Sequence, residues 1–174
     1  MLNFIKKQGL GTWISLGTIV LSLVGLIIYA VALGVGKDLQ IASGSELFYI
    51  VDRPEDATMI TAVTTCGVLT LVILVATVVL AQFKFEGLVG KVCDVAIDVL
   101  RVAVPVLLLL AAIYLLYGSF TGIGWTFFSN EELAIADTAK TVGGLAIAGS
   151  VILALAGVVG IVSPFFNLVK KEAE

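Results

Sequence analysis

The sequence predicts an all-α integral membrane protein, a four-helix bundle with both termini inside and a short interfacial helix before the third span. Two observations carry this. Hydrophobic residues make up 60% of the 174 and charged residues 13%, with a mean hydropathy of +1.15, far from soluble usage. The charges also leave four uncharged stretches, Gln8 to Gly36, Ala57 to Phe83, Val102 to Asn130 and Thr141 to Val169. Each is longer than the roughly 20 residues that cross a hydrocarbon core as helix. Runs such as LTLVILVATVVLA and VPVLLLLAAIYLL are apolar at every position, whereas a membrane strand alternates polar and apolar.

Spans are predicted at about 10–35, 58–83, 98–118 and 141–166, joined by outer loops 36–57 and 119–140 and an inner loop 84–97, all within one domain, 1–174. The first stretch follows Lys6 and Lys7, and Ala30-Val31-Ala32 mimics a leader cleavage site. Its apolar run exceeds the roughly 7–15 residues of a signal core, so a retained anchor is expected. Orientation follows from the cations, which resist translocation. Lys6, Lys7, Lys84, Lys91, Arg101, Lys170 and Lys171 fall on one side, and Lys37, Arg53 and Lys140 on the other. The termini are therefore expected in the cytoplasm. Asp38, Glu46, Asp52, Glu55, Asp56, Glu131, Glu132 and Asp137 lie on the outer side, so the net charge of −3 describes an outer face and suggests no nucleic-acid partner.

Within the outer loops, Ser43-Gly44 sits between two β-prone runs and suits a turn, and Ser129-Asn130-Glu131-Glu132 has the capping-box pattern ahead of the fourth helix. The apolar GIGWTFF just before it, with Trp125, Phe127 and Phe128, is a candidate outer contact with lipid or with a partner protein.

Small residues recur at helical spacing on two spans. Ser15, Thr18, Ser22 and Gly25 form a stripe on the first, and Gly143, Ala146, Ser150, Gly157 and Gly160 form one on the fourth. In lipid such stripes mark close helix approach. The approach can be within the bundle, against another subunit, or along a pore. The second span carries Thr58, Thr61, Thr64, Thr65, Thr70 and Thr77, whose hydroxyls can bond back to the preceding turn or line a hydrated path.

The inner stretch KFEGLVGKVCDVAIDVLRVAVPV places Lys91, Asp94, Asp98 and Arg101 three, four and three residues apart, one charged stripe on a helix. It reads as an interfacial helix bent after Gly90, and as a solvated face or a cytoplasmic docking stripe. Pro105, four residues after Arg101, removes a backbone bond there.

Several chemistries are not expected. The chain has no His and two isolated cysteines, Cys66 and Cys93, so no metal site or disulfide framework is proposed. It offers no nucleophile–base pair and no phosphate loop with its Lys. No catalytic residue and no cofactor are expected, and the protein is read as a non-enzyme. No acid falls inside an uncharged span, which argues against a carboxylate-coupled transporter.

The opening FIKKQGLGTWISLGTIVLSLVGLIIYAVA, the acidic outer loop and the later FFSNEELAIADTAKTVGGLAIAG resemble, across most of the chain, small uncharacterised four-helix membrane proteins found beside carbohydrate ABC transporters in Gram-positive bacteria. The resemblance is of overall pattern and assigns no residue a role. It implies an accessory subunit of a larger membrane complex in a bacterial cytoplasmic membrane, associated with an ABC-type solute transporter, whose partners are the lipid bilayer and other membrane protein subunits. Two alternatives stay open: a homo-oligomeric channel or facilitator, and an assembly factor or receptor-like protein that holds a cytoplasmic partner.

Overall fold

The computed structural model describes residues 7–34, 55–83, 85–128 and 137–169. They form four α-helices, α1 Leu10–Gly34, α2 Glu55–Leu80, α3 Gly87–Phe128 and α4 Asp137–Val162, followed by a 3₁₀ turn at Ser163–Phe165. All four helices are long and apolar enough to cross a membrane, which fits an integral membrane protein. A helix satisfies its own backbone hydrogen bonds, the requirement that lipid imposes on any spanning segment. The turn expected at Ser43-Gly44 and the capping box expected at Ser129–Glu132 lie outside the described residues.

The helices form a ring in chain order. α4 packs along both α1 and α3, α3 also packs along α2, and the α1–α2 joint is the lightest of the four. The centre is filled by Val63 and Leu74 of α2, Leu108 and Leu115 of α3, and Leu153 of α4, all fully buried. Apolar side chains also cover the outer surfaces of every helix, as lipid-facing helices require.

The third helix differs from expectation. It is a single element of 42 residues, about 63 Å at 1.5 Å per residue. It replaces most of the predicted inner loop 84–97 and extends past the predicted end of the third span at 118 to Phe128. Among the described residues the charged stretch and the third span form one helix that runs through Gly90 without a break. The physical reason is that charges spaced by three and four are as compatible with helix as apolar residues. Hydropathy marks where a helix meets lipid, not where it starts. Gly87 turns the chain into α3 with a φ of 68°, a conformation that costs glycine little. At Gly90 a Cβ would collide with the carbonyl of Phe85, so this glycine admits the folded-back linker. The helix continues through Pro105, whose Cβ would lie 3.7 Å from a Cβ at Gly160 of α4.

Candidate functional site

The small-residue stripes are turned inward. Ser15, Thr18, Ser22 and Gly25 on α1 are buried, as are Gly143, Ala146, Ser150, Gly157 and Gly160 on α4. A Cβ at Gly25 would stand 2.9 Å from Leu153, one at Gly157 3.0 Å from Leu109, and one at Gly143 2.8 Å from Phe127. Gly160 faces Thr18 at 3.6 Å in the same sense. Ser150 donates across helices to the carbonyl of Ala112 at 2.7 Å. These faces are occupied by the chain's own helices.

Several hydroxyls are absorbed in the same way, whereas the buried hydroxyl of Thr70 has no hydrogen-bond partner among the described residues. Thr18 donates to the carbonyl of Ile14 at 3.0 Å and Ser22 to that of Thr18 at 2.7 Å. On α2, Thr64 donates to the carbonyl of Ile60 at 2.9 Å and Thr77 to that of Leu74 at 3.0 Å, bonding back along their own helix. Thr70 and Thr77 are buried while Thr61, Thr64 and Thr65 are exposed, so the α2 hydroxyls do not line up along one face. The side chain of Thr58 lies outside the described residues. The lighter α1–α2 joint is held by Tyr29, which donates to the carbonyl of Ile60 at 3.2 Å and approaches the Thr64 hydroxyl at 3.4 Å.

The most polar arrangement sits where the segment before α1 meets the segment after α4. Pro164 has no N–H and cannot extend α4, so the carbonyls of the final turn need outside donors. Arg101 supplies them from α3. Its Nη2 donates to the carbonyl of Ser163, to the Ser163 hydroxyl at 3.2 Å and to the carbonyl of Phe166 at 2.8 Å. A cation at a helix C-terminus also opposes the negative end of the helix dipole. The Ser163 and Ser15 hydroxyls share a hydrogen bond at 2.8 Å, and Thr12 donates to the carbonyl of Leu168 at 2.6 Å.

Around this cation the segment before α1 runs antiparallel to the segment after α4. The N–H of Gly9 donates to Leu168 at 2.7 Å and that of Gly11 to Asn167 at 3.1 Å, and Gln8 pairs with Val169 in an isolated bridge. A side chain at Gly11 would strike both the carbonyl of Phe166 and the Arg101 guanidinium, so the close approach requires glycine. The Gln8 and Gln82 side-chain amides bond each other at 3.0 and 3.2 Å, which ties α2 to the same end.

The expected charged stripe therefore divides. Arg101 is 4% exposed, whereas the side chain of Asp98, three residues earlier, is 71% exposed and its Oδ1 lies 3.6 Å from Nη1 of Arg101. Lys91 and Asp94 are exposed as well. Arg101 belongs to the interior and cannot serve the docking stripe it was grouped with, because its long side chain reaches the end of α4. Nothing in its local sequence marks it off from the other three. Ser163 completes the arrangement from the far end of the chain and was not singled out in the sequence. Its signal was the Pro164 that follows it.

Beside Arg101 a cavity of about 340 Å³ opens between the α2–α3 linker, α3 and the segment after α4, lined among others by Phe83, Phe85, Asp94, Asp98 and Asn167. Among the described residues its charged lining is two carboxylates and one guanidinium. Among the described residues no group of three or more His, Cys, Asp or Glu could hold a metal ion.

At the opposite end, Phe127 covers Gly143 and is partly exposed, and Phe128 projects fully. The side chain of Trp125, the third member of the expected outer contact, lies outside the described residues. In comparisons with known proteins the chain matches no family model, no curated protein and no solved structure.

Proposed function

We propose that the chain is an accessory or structural subunit of a larger membrane complex, working beside an ABC-type solute transporter as its sequence resemblance implies, with its termini in the cytoplasm of a bacterium. The observation that carries this reading is the closed interior. Small residues on α1 and α4 and hydroxyls such as Ser22, Ser150 and Thr77 are spent on contacts within the chain, and Leu74, Leu108, Leu115 and Leu153 fill the centre. A single bundle packed in this way supports contact more readily than conduction. The far end of α3, where Tyr117, Phe120 and Phe128 project from the helix, offers a rigid aromatic surface of the kind that anchors membrane-protein interfaces. The test is gentle-detergent purification at native expression followed by mass spectrometry. Co-purification with subunits of a membrane transporter is the expected result, and recovery as a lone homo-oligomer that passes solute in liposomes overturns it.

A second reading has its own observation, the exposed Lys91, Asp94 and Asp98. In that reading the chain is an assembly factor or receptor-like protein that holds a cytoplasmic partner there. Replacing Asp94 and Asp98 with Lys abolishes recovery of such a partner, and unchanged recovery sinks the idea.

A further inference from the structure

α3 begins at Gly87, fourteen residues before Arg101, which grips the end of α4. That first part is about 21 Å of helix. Along it runs an apolar stripe, Leu88 (80% exposed), Val92 (63%), Val95 (64%), Val99 (62%) and Val102 (57%). The steps are four, three, four and three residues, the 3.5-residue period of a coiled-coil seam. The outer faces of the other helices show similar spacing, which on the reading of those helices as membrane spans faces lipid. Leu88 to Val99 precede the turn at which α4 terminates. Because α3 is unbroken from Gly87 to Phe128, this part cannot lie flat on the membrane while the remainder crosses it.

From this geometry we infer that the Leu88–Val102 stripe is the seam of a parallel, two-fold pairing of α3 with α3 of a second copy of the chain. Copies inserted under the same cationic bias point the same way, so their α3 helices are parallel. In such a pair each stripe residue meets its own counterpart, apolar on apolar, with β-branched valine at four of the five positions. The flanking charges do not oppose the match. Lys91 and Asp98 sit on the edge that faces the partner subunit's Ala96 and the partner subunit's Ala103, so no like charges meet. Asp94 lies off the seam, and Ile97 and Val104 face the chain's own interior. The pairing goes beyond the accessory-subunit reading, since it concerns two copies of one chain and holds with or without a larger complex.

Single cysteines placed in a Cys66→Ala, Cys93→Ala chain and oxidised mildly in native membranes test it. Facing cysteines cross-link within a Cβ separation of roughly 3.5–4.5 Å. Val92→Cys, Val95→Cys and Val99→Cys are expected to give at least about tenfold more of a band at twice the chain mass than Asp94→Cys. Maleimide labelling of Asp94→Cys shows that the control thiol is accessible. Adding Val99→Glu to the Val95→Cys chain removes the band. The pairing is overturned if the stripe positions stay monomeric, if Asp94→Cys cross-links as well as they do, if the band has any other mass, or if Val99→Glu leaves it unchanged. Loss of a larger complex in purification bears on the accessory reading alone.

Discussion

The two parts of α3 on either side of Arg101 present opposite surfaces with similar ingredients. Before Arg101, valines and charges both face outward, as with Val95, Val99, Lys91 and Asp98. From Arg101 onward one side of the helix is locked into the bundle through Val104, Leu108, Ala111 and Leu115. The difference teaches that burial of a charge here depends on what stands opposite. Asp98 and Arg101 are three residues apart, but only Arg101 can reach the free carbonyls that follow α4.

The sharpest way to break this contrast is Arg101→Leu. It strands the carbonyl of Phe166 without its donor and leaves that of Ser163 only the Phe166 N–H, and a loss of about 3 kcal/mol is expected. Thermal unfolding in mild detergent followed by near-ultraviolet circular dichroism reads it, and an unchanged midpoint would show that the buried contact stabilises nothing. Next comes Gly157→Val, which pushes a side chain into Leu109 at the packed part of α3. Overpacking of this kind costs about 2 kcal/mol, visible in the same melt. Ser150→Ala removes one interhelical hydrogen bond to Ala112, for about 1 kcal/mol; denaturation with a graded ionic detergent resolves an effect of that size. Asp98→Asn, on the exposed side, is worth a few tenths of a kcal/mol. Should it destabilise as much as Arg101→Leu, the division of α3 into two environments is wrong.

The four apolar helices were legible because lipid imposes one rule over long stretches, and uninterrupted runs such as LTLVILVATVVLA satisfy it as helix alone. The stripes on α1 and α4 were legible as contact faces, but their sequence could not say against what, since Gly25 meets Leu153 by the same dispersion forces with which it would meet another protein. The helix through Lys91, Asp94, Asp98 and Arg101 was legible from their spacing of three and four; that it runs unbroken from Gly87 into the third span was not, because those charges interrupt hydropathy without interrupting the helix. The fate of Arg101 was illegible for a different reason. It is decided by Ser163, 62 residues away in the chain, and by a proline that ends α4 there. Reach and distant partners have no local pattern.

That separation has a consequence for biosynthesis. At translation rates of about 5–20 residues per second, the 62 residues from Arg101 to Ser163 take roughly 3–12 s to emerge. At its start α1 and α2 are made and α3 is still being completed, and the carbonyls that receive the guanidinium do not yet exist. Until they do, Arg101 lacks the acceptors that hold it in the interior, and arrival of the last helix is the event that lets it settle.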